Sequence, residues 1–225
     1  MSIAIRAATL CFIGATIAHA AEVTYTTRAA YNAATTNNTI LTFQGLATNG
    51  DAIHYTSPPG VSTGGINFQS TSDSLFAIDP SHSPGGGWNF SSGQFLDDNN
   101  YTFTSSLNAT LLPANTTAIG ADFGLQTGNT ATSFQLQLTL SNSDILVINL
   151  AASNSNPILS FFGFTSDVAI TSVAMKVTSV NSGNGSLVVD NFTFGQSAIP
   201  EPSTMSILLV SGVAISGVRF LRRKK

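Results

Sequence analysis

The 225-residue chain is 43% hydrophobic and only 8% charged, with a formal charge of −3. That average hides an uneven placement: residues 22–199 hold two basic side chains, Arg28 and Lys176, against ten acidic ones, a formal charge of −8. A surface that neutralises phosphates needs a basic footprint, so a nucleic-acid partner is excluded for this region. The single cysteine, Cys11, lies close to the N-terminus, which leaves the body of the chain without a disulfide or a thiolate metal site.

Residues 1–20 have the outline of a signal peptide. Arg6 supplies a thin positive start, residues 7–17 an apolar run, and Ala18-His19-Ala20 a small-residue site for signal peptidase after Ala20. The run is short for a spanning helix, which needs about 20 apolar residues. Residues 21–197 follow as one domain, long enough to bury a core.

Helix signals are confined to the start of that domain, where Ala29, Ala30, Ala33 and Ala34 predict a short helix over 26–35. After it the chain reads as strand after strand, at 40–44, 65–70, 74–78, 100–103, 119–123, 133–140, 145–150, 159–164, 170–180 and 186–194. The segment Ser133–Leu140 alternates most cleanly: Phe134, Leu136, Leu138 and Leu140 share one face, Ser133, Gln135, Gln137 and Thr139 the other. A turn at 141–144 joins it to the next strand as a hairpin. No crossover helices separate the strands, so the expected fold is all-β: an antiparallel two-sheet sandwich, jelly-roll-like, of nine or ten strands.

Several side chains along this run invite a functional reading. Gly60-Val61-Ser62-Thr63-Gly64 has the spacing of a nucleophile elbow, but prolines precede it and no helix follows, so the elbow context is missing. His54 and His82, the histidines of the domain, lie in loop-like sequence. Trp88 follows three glycines, where an exposed indole can stack on the C–H face of a sugar ring. Asp97-Asp98-Asn99-Asn100 is rich in oxygen without the spacing of an EF-hand, and reads as a turn. Asp190 is the most pointed case. Strict alternation puts it on one face with Val188, Phe192 and Phe194, where a buried carboxylate needs partners. Backbone N–H groups at a bulge would serve; so would a structural calcium held by Asp190, a side-chain oxygen such as that of Gln44, and backbone carbonyls. Seven Asn-x-Ser/Thr triplets, at Asn37, Asn89, Asn100, Asn108, Asn115, Asn184 and Asn191, are the yield of a chain rich in those residues.

The C-terminal region 198–225 has three parts. Pro200-Glu201-Pro202 holds an extended segment. An apolar run over about 205–221 is just long enough to enter a bilayer, and a basic end over 219–225 would stay cytoplasmic. A plain C-terminal anchor has the same outline. The order of motif, transmembrane helix and basic end resembles the PEP-CTERM sorting signal of exosortase substrates, with Pro200, Glu201 and Pro202 as the sorting motif. The segments around Phe161-Phe162-Gly163 and Asp190-Asn191 are similar to the closing strands of many proteins that carry this signal. The resemblance implies export, an inner-membrane intermediate, cleavage by an exosortase near the triplet, and delivery to the cell surface or extracellular matrix. The function expected is that of a non-enzymatic surface or matrix protein. A carbohydrate-binding module of the exopolysaccharide layer is the alternative, and a secreted hydrolase the second alternative.

Overall fold

Alternation of apolar and polar side chains is written into most of the strands, and the structure pairs them into two antiparallel sheets. It is a computed structural model that describes residues 22–198 except 49, 83–92, 127–130 and 153–158. The signal peptide, Trp88, the Pro200-Glu201-Pro202 motif and the apolar run after it lie outside the described residues.

The elements in chain order are β1 (Val23–Tyr25), α1 (Arg28–Ala33), β2 (Thr35–Leu41), β3 (Ala52–Thr56), β4 (Val61–Thr63), β5 (Ile66–Ser70), β6 (Ser74–Ile78) and β7 (Phe95–Asp97). They continue with β8 (Leu107–Thr110), β9 (Ala118–Gln126), β10 (Ser133–Leu140), β11 (Ile145–Ala151), β12 (Ser160–Thr165), β13 (Ser172–Val180) and β14 (Ser186–Ser197). An eight-stranded sheet runs β1-β12-β9-β14-β7-β6-β3, with β2 also paired to β14; a six-stranded sheet runs β11-β10-β13-β8-β5-β4. The expected two-sheet antiparallel sandwich is therefore what the chain forms, with fourteen strands among the described residues in place of nine or ten.

The core lies between the sheets. Leu136 and Leu138 of β10 and Val173, Met175 and Val177 of β13 face Ile119, Ala121 and Phe123 of β9 and Val189 and Phe192 of β14, all fully or almost fully buried. Phenylalanines lock one sheet to the other. Phe68 of the six-stranded sheet meets Phe192 of the eight-stranded sheet edge-on at 5.2 Å, and Phe43 meets Phe68 at the same distance. Such pairs add about 1 kcal/mol each beyond the area they bury.

Four local readings are corrected. The helix is shorter than 26–35, because Thr27 caps it by accepting the Ala30 N–H and Thr35 already begins β2. Residues 61–63, absent from the expected strands, form β4, which turns back onto β5 through Gly64 and Gly65, both at positive φ as a two-residue hairpin requires. Residues 100–103 are not a strand. Asp97, Asp98 and Asn100 each accept the N–H two residues ahead, and these successive side-chain turns take the backbone away from a ladder; the strand lies just before them, as β7. Finally, β14 carries a bulge after Asp190, with Asn191 at φ 49°. The extra residue shifts the alternation, so Asp190 does not share a face with Phe192 and Phe194. It lies on the other face of the strand with Val188 and Thr193, and that face is covered too: all three are buried, Val188 in a second apolar cluster with Ile78 and Phe95.

Candidate functional site

Three places on the sandwich bring polar side chains together. The first is the outer face of the eight-stranded sheet around Asp190. Asp190 and Asp122 are register partners on β14 and β9, so two carboxylates stand side by side. Arg28 of α1 answers this charge: its guanidinium lies 2.9 Å from Asp122 Oδ2, donates to Thr193 Oγ1 at 3.0 Å, and sits over the Phe161 ring. The Asn191 side-chain amide donates to both carboxylates, at 2.8 Å to Asp122 and 3.3 Å to Asp190, and the Asn191 backbone N–H donates to Asp190 Oδ1. The helix can approach because Gly120 and Gly163 form the floor beneath it: a Cβ on Gly163 would stand 2.6 Å from Tyr31. Asp190 is thus held at a bulge by backbone and amide donors. Gln44, its suggested companion in a cation site, is exposed, with its amide against Gly93. Among the described residues no group of three or more His, Cys, Asp or Glu is placed to hold a metal ion.

The second place is the end of β7. Asp98 is buried and well supplied: it accepts from Asn100 N, Leu187 N and the Ser105 hydroxyl. Asp97 is fully buried and poorly supplied. Its Oδ1 accepts the Asn99 N–H, but the neighbouring Ser186 hydroxyl donates to Gln126 Oε1, as does Tyr101, and Asp97 Oδ2 has no partner. Burial, and then the charge of Asp98, push the Asp97 carboxyl up to about 7. Sequence spacing could not separate these two aspartates, because the difference lies in donors that β14 and β9 bring from far along the chain.

The third place is the outer face of the six-stranded sheet. Asn67 and Gln69 of β5, Asn108 and Thr110 of β8, Ser172, Lys176 and Thr178 of β13, and Gln135, Gln137 and Thr139 of β10 all project from it, each half-buried by its neighbours. The register sets them in rows: Gln69 beside Asn108, Asn67 beside Thr110, and Lys176 beside Gln137. Ile145 and Val147 of β11, the register partners of Thr139 and Gln137, stand exposed at the edge of the same face; its other described side chains are mostly amides and hydroxyls, with one cation, in a domain whose net charge is strongly negative.

No family model matches this chain, and no curated protein matches it either. Solved structures do. The CBM22-1 xylan-binding domain of Paenibacillus barcinonensis Xyn10C is 11% identical, with 68% of this chain and 99% of that one covered at a TM-score of 0.36. The C-terminal family 22 carbohydrate-binding module of Clostridium thermocellum Xyn10B is 13% identical, covering 68% and 98%, with a TM-score of 0.36. The K2 cleaved adhesin domain of Lys-gingipain is 9% identical, covering 72% and 99%, with a TM-score of 0.41. Likenesses this remote carry no weight for function here.

The elbow-like serine and the two histidines lie on different elements. Ser62 lies on β4 of the six-stranded sheet, where its hydroxyl accepts from Asn67. His82 lies on the loop after β6 of the other sheet, with its ring against the Gly50 carbonyl. His54, read as loop, is instead on strand β3, its ring 4.8 Å from that of Phe76 and tilted by 31°.

Proposed function

We propose that the chain is an exported envelope protein whose sandwich binds a neutral polysaccharide on the outer face of the six-stranded sheet. The observation that carries this reading is the composition of that face. Amides and hydroxyls set in rows offer donors and acceptors at strand spacing, about 4.8 Å apart, a scale on which successive sugar hydroxyls can be met. A polyanion would be repelled by a domain of formal charge −8, and a nucleic acid would find a single lysine. Neutral hydrogen bonds contribute only about 1 kcal/mol each, so four or five of them give an affinity on the order of millimolar per short segment. Long chains that engage several copies of the protein gain from multivalency.

The sequence supports export and tail processing alongside this binding role. The signal peptide, the Pro200-Glu201-Pro202 motif, the apolar run and the basic end form the order expected of an exosortase substrate, with signal peptidase and exosortase as processing partners. The protein acts in this reading as a binding component of a hydrated matrix and not as an enzyme.

Affinity electrophoresis through gels containing neutral polysaccharides tests the binding. The expected result is retardation by at least one neutral glycan, lost in the double variant Gln69→Ala/Gln137→Ala and kept in a control altered on the other sheet, His54→Ala. Equal mobility of all three proteins in every gel would overturn it. Intact mass of the protein recovered from its own host reports the two cleavages separately.

A further inference from the structure

The six large hydrophobic side chains exposed among the described residues are unevenly placed. Val23 and Ile145, at the starts of β1 and β11, and Leu111 and Val168, on loops, lie at one end of the sandwich; Ile40 and Val147 lie further along their strands, and the opposite end, with loops 99–106 and 181–185, has none of the six. Leu111 is the most exposed of all, at 72%, and it is turned out on a left-handed backbone, φ 63°, that a leucine adopts only under constraint.

Hydrogen bonds stitch the loops of this end together. Leu112 N donates to Thr171 O at 3.2 Å, Ser166 N to Thr117 O at 2.8 Å, Ile170 N to Thr116 O at 2.7 Å, and Thr171 N to the Ser141 hydroxyl at 3.0 Å. The last strand leaves the sandwich at the same place: Ser197 N donates to Thr117 Oγ1 at 2.8 Å and Ala198 N to Ala34 O at 2.9 Å. The chain that continues into the C-terminal region therefore departs from this same end of the sandwich.

We propose that this end is a membrane-facing surface, with Leu111 and Val168 entering the interfacial layer of the bilayer while the C-terminal apolar run is still inserted. The proposal rests on the tail being membrane-inserted, as the export reading holds. Six residues, 199–204, separate the last described residue from the apolar run, and fully extended they reach about 20 Å. The nine residues of β9 span about 30 Å from one end of the sandwich to the other. The opposite end is thus out of reach of the bilayer, and the end that is held against it is the one that exposes the aliphatic side chains. The contact is shallow. Glu22, Asp144 and Asp167 border the same end, so the surface orients a tethered domain without anchoring a released one, and cutting the tail frees the domain.

The test uses the full chain with Cys11→Ser, reconstituted in phosphatidylcholine vesicles, and a fluorophore on one introduced cysteine: Leu111→Cys, Val168→Cys or Asn184→Cys. All three positions are exposed, so labelling leaves the core intact. The expected result is loss of quenching by aqueous iodide, with quenching by lipid-chain nitroxides, at 111 and 168, and the reverse at 184. Equal iodide quenching at all three, in a chain that stays with the vesicles through carbonate washing, overturns the membrane-facing end alone. A chain that washes off overturns the inserted tail and the proposal with it.

Discussion

Asp97→Asn should stabilise the protein at neutral and alkaline pH and remove much of the pH dependence of its stability. The carboxyl titrates near 3.8 when exposed and at about 7 in the folded protein, because burial and the adjacent Asp98 charge disfavour the anion. A raised carboxyl has the opposite sign from an ion-paired one. Between these values the folded protein keeps a proton that the unfolded chain has lost, so stability is highest below about pH 4 from this group and falls as pH rises through 7. Three units at about 1.4 kcal/mol each give about 4 kcal/mol over the whole span. Asparagine keeps the shape and the acceptor for the Asn99 N–H and carries no charge. Urea unfolding at half-unit intervals from about pH 4 to pH 9 measures the slope. Burial shifts Asp98 in the same direction, whereas the Ser81 hydroxyl and N–H hold Asp79 below its ordinary value, so its contribution is lost at the acid end. The reasoning is refuted if wild type and Asp97→Asn lose stability in parallel across pH 5–8.

Other substitutions probe the packing. Arg28→Ala removes the pair with Asp122, the bond to Thr193 and the cover over Phe161, and should cost about 1–3 kcal/mol, with faster amide exchange over residues 23–33 as its local signature. Phe192→Ala, at the junction of the two sheets, should cost about 3–5 kcal/mol in thermal or urea unfolding. Gly195→Val should be worse tolerated than its position near a strand end suggests, because a Cβ there would stand 2.1 Å from Asn38 Oδ1 and 2.9 Å from the Thr36 carbonyl; a loss of about 1–3 kcal/mol and slower pairing of β2 are expected.

The β10–β11 hairpin was legible because one face of β10 is wet and the other dry, so alternation and the four-residue turn declare themselves. At Asp190 a buried carboxylate with a backbone donor at a bulge was among the readings open to the sequence, but the face it lies on and its side-chain partner were not legible. A single left-handed residue, Asn191, resets the faces of the strand, and no period-two count can see it. The partner of that region, Arg28, comes from a helix 94 positions before Asp122, and its reach depends on the absence of side chains at Gly120 and Gly163. β7 was missed because its three residues are buried on both sides and precede polar residues that look like a longer turn. The polar rows of the six-stranded sheet are made by register between strands far apart in sequence. Each Gln or Asn alone reads as ordinary solvent-facing filler.

Both ends of the described chain finish at the same rim of the sandwich. β1 meets Thr165, Thr165 meets Ala118, and Ala118 meets Gly195 in one unbroken row. Three strand spacings, about 14 Å, therefore separate residue 23 from Gly195 near the end of β14, a gap that about four or five linking residues close. The topology accepts a circular rearrangement in which the old termini are joined there and new ones opened within 181–185, at the far rim. The order in which the strands are connected is in this sense a choice of where to cut a ring.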